Sequence, residues 1–333
     1  MLEVEYPALQ PAERLFLEVH GYVVLRDVLA APQIERLRDA IYALESSYRR
    51  TGRLPTSSSG ECEGSDPNGC TVIANDTEDY FNLENIPHLG ECFLDYVLHP
   101  KLRGVMQEMV GSRIRLEQSD AHIRRPGTAP YDGHGGANPW GFHGGSRAEL
   151  GRCNAHVAQG LYRFPFCKTL TNLTDLTCPA DGGTMVIPGS HKIDPTVDPQ
   201  AVIDAALADP RLVHQVIAPA GSTICFHESL LHCSGRITSG GRDRVLVITG
   251  WSPTHYQPYH KGFEPDPQLI ARLGPDSEEA ELLSGSRRWG MHLPPVLEGG
   301  TGTVDYGVVN AAGVTALGDL PASTQSAAAR SRL

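Results

Sequence analysis

The sequence predicts a mainly β protein with flanking helices (α+β), its core an all-β sandwich or jelly roll. Two observations carry this. Between about residues 113 and 255, short strand-like pieces recur with Gly- and Pro-rich turns between them, the punctuation of such a sandwich. Before and after that stretch, apolar residues recur at helical spacing.

HGYVVLRDVL (20–29) reads as a strand running into a turn. In the following PQIERLRDAIYALESSYRR, Pro32 suits a first helical position. Ile34, Leu37, Ile41, Leu44 and Tyr48 fall at steps of three and four and make one apolar helix face. TGRLPTSSSGECEGSDPNGC (51–70) is rich in Ser, Gly and Pro and reads as a loop. LHPKLRGVMQEMV (98–110) is a second amphipathic helix through Leu102, Val105, Met106 and Met109. RIRLEQSDAHIRR, from 113, alternates as a half-buried strand does. CKTLTNLTDL, GTMVIPGS, LVHQVIAP, STICFHE and DRVLVITGW are further strands, with DPQAVIDAALADP (198–210) a helical insertion among them. PQLIARLG and SEEAELLSG continue as helices. The last residues, VTALGDLPASTQSAAARSRL, are small and polar, so 311–333 is expected to be a flexible tail and 1–310 a single domain.

The chain has 333 residues, 20% charged and 40% hydrophobic, enough to bury a real core. A net charge of −11 argues against a nucleic-acid polymer or an anionic membrane as partner. It leaves room for a small anionic substrate in a local basic pocket. Eight cysteines without a CxxC pair make a structural zinc site unexpected. The opening MLEVEYPALQPAERL has no apolar signal core and no apolar run reaches membrane-spanning length. A reducing cytoplasm with free thiols is the simple reading.

The chemistry begins with histidines. In a strand, residues i and i+2 share a face, so His-x-Asp can aim two ligands at one metal while a distant histidine completes a facial triad. None of the 14 histidines stands in His-x-Asp or His-x-Glu. The His-x-small candidates are His134, His143 and His156, and HGG occurs twice, at 134–136 and 143–145.

Downstream landmarks carry a resemblance. DGGTMVIPGSHK (181–192) closely resembles a signature of the phytanoyl-CoA dioxygenase family, Fe(II)- and 2-oxoglutarate-dependent oxygenases on a double-stranded β-helix. LLHCSGRITSGGRDRVLVI (230–248) resembles that family's second metal segment, and Phe16 followed by His20-Gly21 its N-terminal segment. The likeness spans roughly residues 13 to 255; PGSHK alone is moderately specific, and in order with HxSG and the arginine it is strong. The resemblance implies a double-stranded β-helix jelly roll and the cofactors Fe(II), 2-oxoglutarate and O2. It implies His232 as distal iron ligand, Ser234 as a donor to the 2-oxoglutarate carboxylate, and Arg244 as its bidentate clamp, with Arg242 the runner-up. His143, 89 residues before His232, matches the proximal ligand, and His156 competes with it. Thr171 or Asn172 is expected to line the co-substrate pocket, Thr171 first; the alternative is ordinary strand packing with satisfied hydroxyls. Gln118 is a weaker case, and His227 reads as a supporting residue rather than a ligand.

Gly145 departs from the family, standing where the acidic ligand belongs. In the halogenase branch of such oxygenases that position is Ala or Gly, and halide binds iron where the carboxylate would have been. Glycine removes the side chain altogether. The resemblance therefore implies an Fe(II)/2-oxoglutarate-dependent halogenase taking chloride as co-substrate and chlorinating an unactivated carbon of a small molecule. The frame most resembles adenine-nucleotide chlorinases, pointing to a deoxyadenosine phosphate. Arg124, Arg125, Arg163 and Lys168 could gather that anion, or could equally make a solvated strand edge. Alternatives are a carboxylate from Glu149, Asp120, Asp175 or Glu228 in a hydroxylase, a decayed oxygenase, and a non-catalytic jelly-roll binding protein.

Overall fold

Proline and glycine set the ends of the helices in a computed structural model that describes residues 5–56, 60–63, 72–128, 142, 144, 156–158, 161–163, 166–194, 197–254, 266–284, 308–310 and 313–315. Helices α1 (Pro11–His20), α2 (Ala31–Thr51), α3 (Glu91–Val97) and α4 (Pro100–Val110) precede the β core. Proline opens α1 and α4 and stands second in α2, positions where its missing N–H costs nothing. Each of those three ends on a glycine in the left-handed region, Gly21, Gly52 and Gly111, whose N–H bonds back into the last turn. The helix expected over 98–110 thus begins at Pro100. Helix α1 has Leu17 as its buried residue, too narrow an apolar stripe to announce itself by spacing. Helices α5 (Pro199–Ala208), α6 (Pro267–Leu273) and α7 (Glu278–Ser284) follow. Asp198 caps α5 through the Gln200 N–H. Among the described residues no helix is long and apolar enough to cross a membrane.

The strands are β1 (Tyr22–Leu25), β2 (Arg53–Thr56), β3 (Gly60–Glu63), β4 (Val72–Asp76), β5 (Tyr80–Glu84), β6 (Ile114–Arg124), β7 (His156–Ala158) and β8 (Leu161–Arg163). They continue with β9 (Cys167–Asn172), β10 (Thr184–Val186), β11 (His214–Gln215), β12 (Thr223–His227), β13 (His232–Ser234) and β14 (Arg244–Pro253). The loop expected over 51–70 contains the antiparallel pair β2–β3. Its Ser/Gly/Pro composition signals the turn but not the backbone ladder on either side.

A seven-stranded sheet runs β1-β12-β9-β14-β6-β5-β4 and a three-stranded sheet runs β11-β10-β13. From β9 onward the chain passes between the two sheets, and β14 returns to lie between β9 and β6. This is the double-stranded β-helix. The sandwich interior is closed by Leu170, Leu246, Ile224, Phe226 and Tyr22 from the large sheet, packed with Val186 from the small one. The opposite face of the large sheet, with Val245, Val247, Trp251 and Cys225, packs against Leu37, Ile41, Val97, Met106 and Leu282 of the helices. Each such side chain contributes about 1.5–3 kcal/mol on burial. Ile203 and Ala206 of α5 cover the outer face of the small sheet at Met185 and Cys233.

Residues 1–286 form one compact unit and 287–333 a second. In the second unit, β15 (Val308–Asn310) pairs antiparallel with β16 (Gly313–Thr315). The rest of the tail expected over 311–333 lies outside the described residues.

Candidate active site

Cross-strand partners share a face of a sheet. Leu246 and Leu170 point into the sandwich, so the residues two steps along their strands, and their partners, do so too. Arg244 lies opposite Arg124, Leu246 opposite His122 and Asn172, and Ile248 opposite Asp120 and Leu170. On the small sheet His232 lies opposite Val186, and Ser234 opposite Thr184. The two sheets therefore bring His232, Ser234 and Arg244 to one interior.

His232 is buried, its ring packed on Phe226 with centroids 4.6 Å apart. Its Nδ1 lies 2.8 Å from the Leu230 carbonyl oxygen. A carbonyl only accepts, so Nδ1 carries the hydrogen and Nε2 the lone pair, the form in which histidine binds a metal. Burial, and then the charge of Lys168, push its pKa down to about 3, so the ring is neutral at ordinary pH. Lys168 itself is 3.1 Å from the Glu228 carboxylate.

His143 and Gly145 lie outside the described residues, as do His134 and Glu149. The two described neighbours of His143 are informative. Phe142 packs with Leu231 and Cys233, on either side of His232. A Cβ on Gly144 would come within 2.4 Å of the Leu230 oxygen, so the backbone passes too close to that segment for a side chain. His156 opens β7, opposite Arg163. Among the described residues no group of three His, Cys, Asp or Glu side chains converges as a metal site.

Arg244 opens β14 and crosses to the small sheet. It is 2% exposed, its Nη1 donating to the Gly182 oxygen (2.6 Å) and its Nη2 to Thr184 Oγ1 (2.8 Å). Its Nε has no partner, and no described carboxylate pairs with it. Burial, and then the neighbouring Arg124, pull its pKa down to about 9. A buried guanidinium short of an anion, beside the Thr184–Ser234 pair, suits a carboxylate group. Arg242, by contrast, is more than half exposed and lies 3.9 Å from Asp181.

Thr171 differs from the expectation. It sits on the helix-facing side, where its hydroxyl bonds Tyr96 Oη (2.7 Å) and Thr223 Oγ1 (2.6 Å). Ordinary strand packing with a satisfied hydroxyl describes it. The next residue, Asn172, turns inward, fully buried with neither amide atom partnered.

Each described side chain of the basic group Arg124, Arg125 and Lys168 has partners of its own. Arg125 is tied to Glu45 (2.7 Å) and lies 3.7 Å from Asp243. Arg124 lies over the Tyr80 ring and reaches the Gly235 oxygen. The alternative carboxylates are also engaged: Asp175 accepts the Ala220 N–H at 2.9 Å, Glu228 holds Lys168, and Asp120 accepts from Gln118. Cys167 Sγ lies 3.3 Å from His227 Nδ1, and His227 stacks on His191, supporting the site from outside. Two of the signature segments lock together here. Gly21, at φ +84°, passes so close to His191 that a Cβ would lie 2.2 Å from the ring, and Gly189 N–H donates to the His20 oxygen at 3.0 Å. Sequence reasoning missed Thr184 and the inward wall of β5, whose polar run NDTEDYFNLEN gives little strand signal.

Residues 17–245 match the family profile described as phytanoyl-CoA dioxygenase (PhyH). No match is found among curated proteins. The fold is similar to that of HygX from Streptomyces hygroscopicus, solved with nickel and 2-oxoglutarate bound: TM-score 0.58, 18% identity, 76% of this chain and 90% of that one. It is also similar to EctD from S. alaskensis (TM-score 0.53, 19% identity, 80% and 89% covered). The non-heme alpha ketoglutarate dependent carbocyclase SnoK, from nogalamycin biosynthesis, compares at TM-score 0.52 and 18% identity over 81% and 93%. These likenesses concern the fold, while the profile spans more than half the sequence, and the chain belongs to the phytanoyl-CoA dioxygenase family.

Proposed function

We propose that this chain is an Fe(II)/2-oxoglutarate-dependent halogenase that chlorinates an unactivated carbon of a small molecule. The observation that supports the reading is the glycine at position 145 of the sequence, where the family's acidic ligand belongs, beside the described residues His232, Ser234 and Arg244. His232 presents a neutral Nε2, Ser234 and Arg244 suit a co-substrate carboxylate, and Phe142 and Gly144 lie against the segment bearing His232. When bound, iron with 2-oxoglutarate and O2 supplies the oxidising power to break an unactivated C–H bond, and chloride supplies the atom the carbon takes.

In this reading His143 and His232 hold the iron. The Leu230 carbonyl and the Phe226 ring fix the orientation of His232. Arg244 grips the distal carboxylate of 2-oxoglutarate as a charge-assisted fork, with Ser234 as a second donor. In this reading Gly145, with no side chain, leaves room for the halide. The described arginines offer no shared phosphate pocket, so a nucleotide substrate draws no support from them.

A second reading, an oxygenase with Glu228 as the third ligand, is favoured by one observation: Lys168 pairs with Glu228 and also acts on His232. Anaerobic absorption spectroscopy separates the two. The halogenase reading expects a charge-transfer band with Fe(II) and 2-oxoglutarate that shifts saturably with chloride, survives in Glu228→Gln and loses its chloride response in Gly145→Asp. A band indifferent to chloride and abolished in Glu228→Gln supports the second reading. No band at all refutes both.

A further inference from the structure

Resting on that reading, we propose that Glu84, Asp120 and Asn82 form a subsite for a protonated amine of the substrate, on the interior wall made by β5 and β6. Glu84 lies directly opposite Asp120, and Asn82 opposite His122, so all four share the inward face. Among the described residues neither carboxylate pairs with lysine or arginine. Asp120 accepts from Gln118 and lies 3.9 Å from His122 Nε2, while Glu84 makes no side-chain hydrogen bond or ion pair among the described residues. Asn82 is 6% exposed, yet its Oδ1 accepts nothing. His122 Nδ1 lies 2.8 Å from Tyr80 Oη, and its Nε2 has no hydrogen bond.

The wall is therefore rich in acceptors, with two carboxyl groups in adjacent cross-strand positions. Such a pair destabilises a sheet. Burial, and then Asp120, push the Glu84 pKa up to about 7. A fold keeps such a cost where a ligand relieves it. The missing component is a donor-rich cation. A metal ion needs its ligands to converge closely, and no such group of three exists among the described residues. A primary ammonium, with three N–H donors, suits the set. The subsite also lies in the right place. Asp120 shares its row with Ile248 and Leu170, one step along the strands from Lys168, whose charge reaches His232. An amine anchored there sets the rest of a small substrate beside the metal-ligating histidine.

The test uses the full chain with nickel in place of iron, loaded with 2-oxoglutarate, and calorimetric titration of two probes: the diamino cyclitol 2-deoxystreptamine and the neutral cyclitol scyllo-inositol. The diamine is expected to bind saturably and at least about tenfold more tightly. Glu84→Gln/Asp120→Asn is expected to erase that preference while 2-oxoglutarate still binds. The double variant removes uncompensated charge and is expected to melt no lower than the parent; should it fail to fold, the two single variants are titrated instead. Equal binding of the probes, no binding of the diamine, or a preference that survives the substitutions overturns the inference. Loss of 2-oxoglutarate binding by the unaltered protein would instead refute the reading on which it rests.

Discussion

Arg244→Gln separates a co-substrate clamp from a structural pin. In the absence of ligand the guanidinium makes two hydrogen bonds, to Gly182 and Thr184, and leaves Nε unpartnered beside Arg124. Losing those two bonds costs about 1 kcal/mol each. Removing a buried positive charge that lacks a carboxylate offsets part of that, so the unliganded variant should lose under about 2 kcal/mol of stability. Binding behaves differently. Truncating one partner of a buried, hydrogen-bonded charge pair costs about 2–5 kcal/mol, which weakens 2-oxoglutarate roughly 30-fold or more. Thermal unfolding with and without 2-oxoglutarate, on nickel-loaded protein, reads both quantities. At one hundred times its Kd the ligand stabilises the parent by about 2.7 kcal/mol, and the variant should gain under about 1 kcal/mol at the same concentration. A variant that binds 2-oxoglutarate as the parent does would refute the clamp. One that loses more than about 3 kcal/mol without ligand and keeps its ligand-induced shift would make Arg244 a structural pin.

Thr171→Val should cost about 1–3 kcal/mol in denaturant unfolding, because it deletes a buried hydroxyl bonded to Tyr96 and Thr223; 2-oxoglutarate affinity should not change, and a loss of affinity with unchanged stability would return Thr171 to the pocket. Gly21→Ala should cost roughly 2–4 kcal/mol, since φ is +84° and the new Cβ meets the His191 ring at 2.2 Å; an unchanged denaturation midpoint would show that the two signature segments do not lock. For Glu84 the folded pKa, about 7, lies above the ordinary carboxylate value, so the folded state holds the extra proton. Its contribution is fully present below about pH 4.5 and is lost as pH rises through 7. Glu84→Gln should remove that decline between pH 4.5 and 7 from a series of unfolding midpoints, and a parallel curve would refute the assignment.

What the sequence determined by itself is what depends on near neighbours along the chain. The apolar steps of Ile34, Leu37, Ile41 and Leu44 specify one buried helix face, and all four are buried. Proline openings and the short punctuated strands give the elements and the jelly-roll class, and the PGSHK and HxSG segments lead to the family. What only the tertiary structure decided is which face each strand residue presents. A one-residue slip in register reverses every side chain, so Thr171 and Asn172 are indistinguishable in sequence; pairing to β12 and β14 turns Thr171 to the helices and Asn172 to the interior. Arg242 and Arg244 read alike along the chain, but Arg244 alone is carried into the sandwich by β14. Glu84 and Asp120 belong to segments with no visible relation until β5 pairs with β6 and sets the two carboxylates side by side. Long-range pairing creates such neighbours, and periodicity within a single segment carries no trace of them.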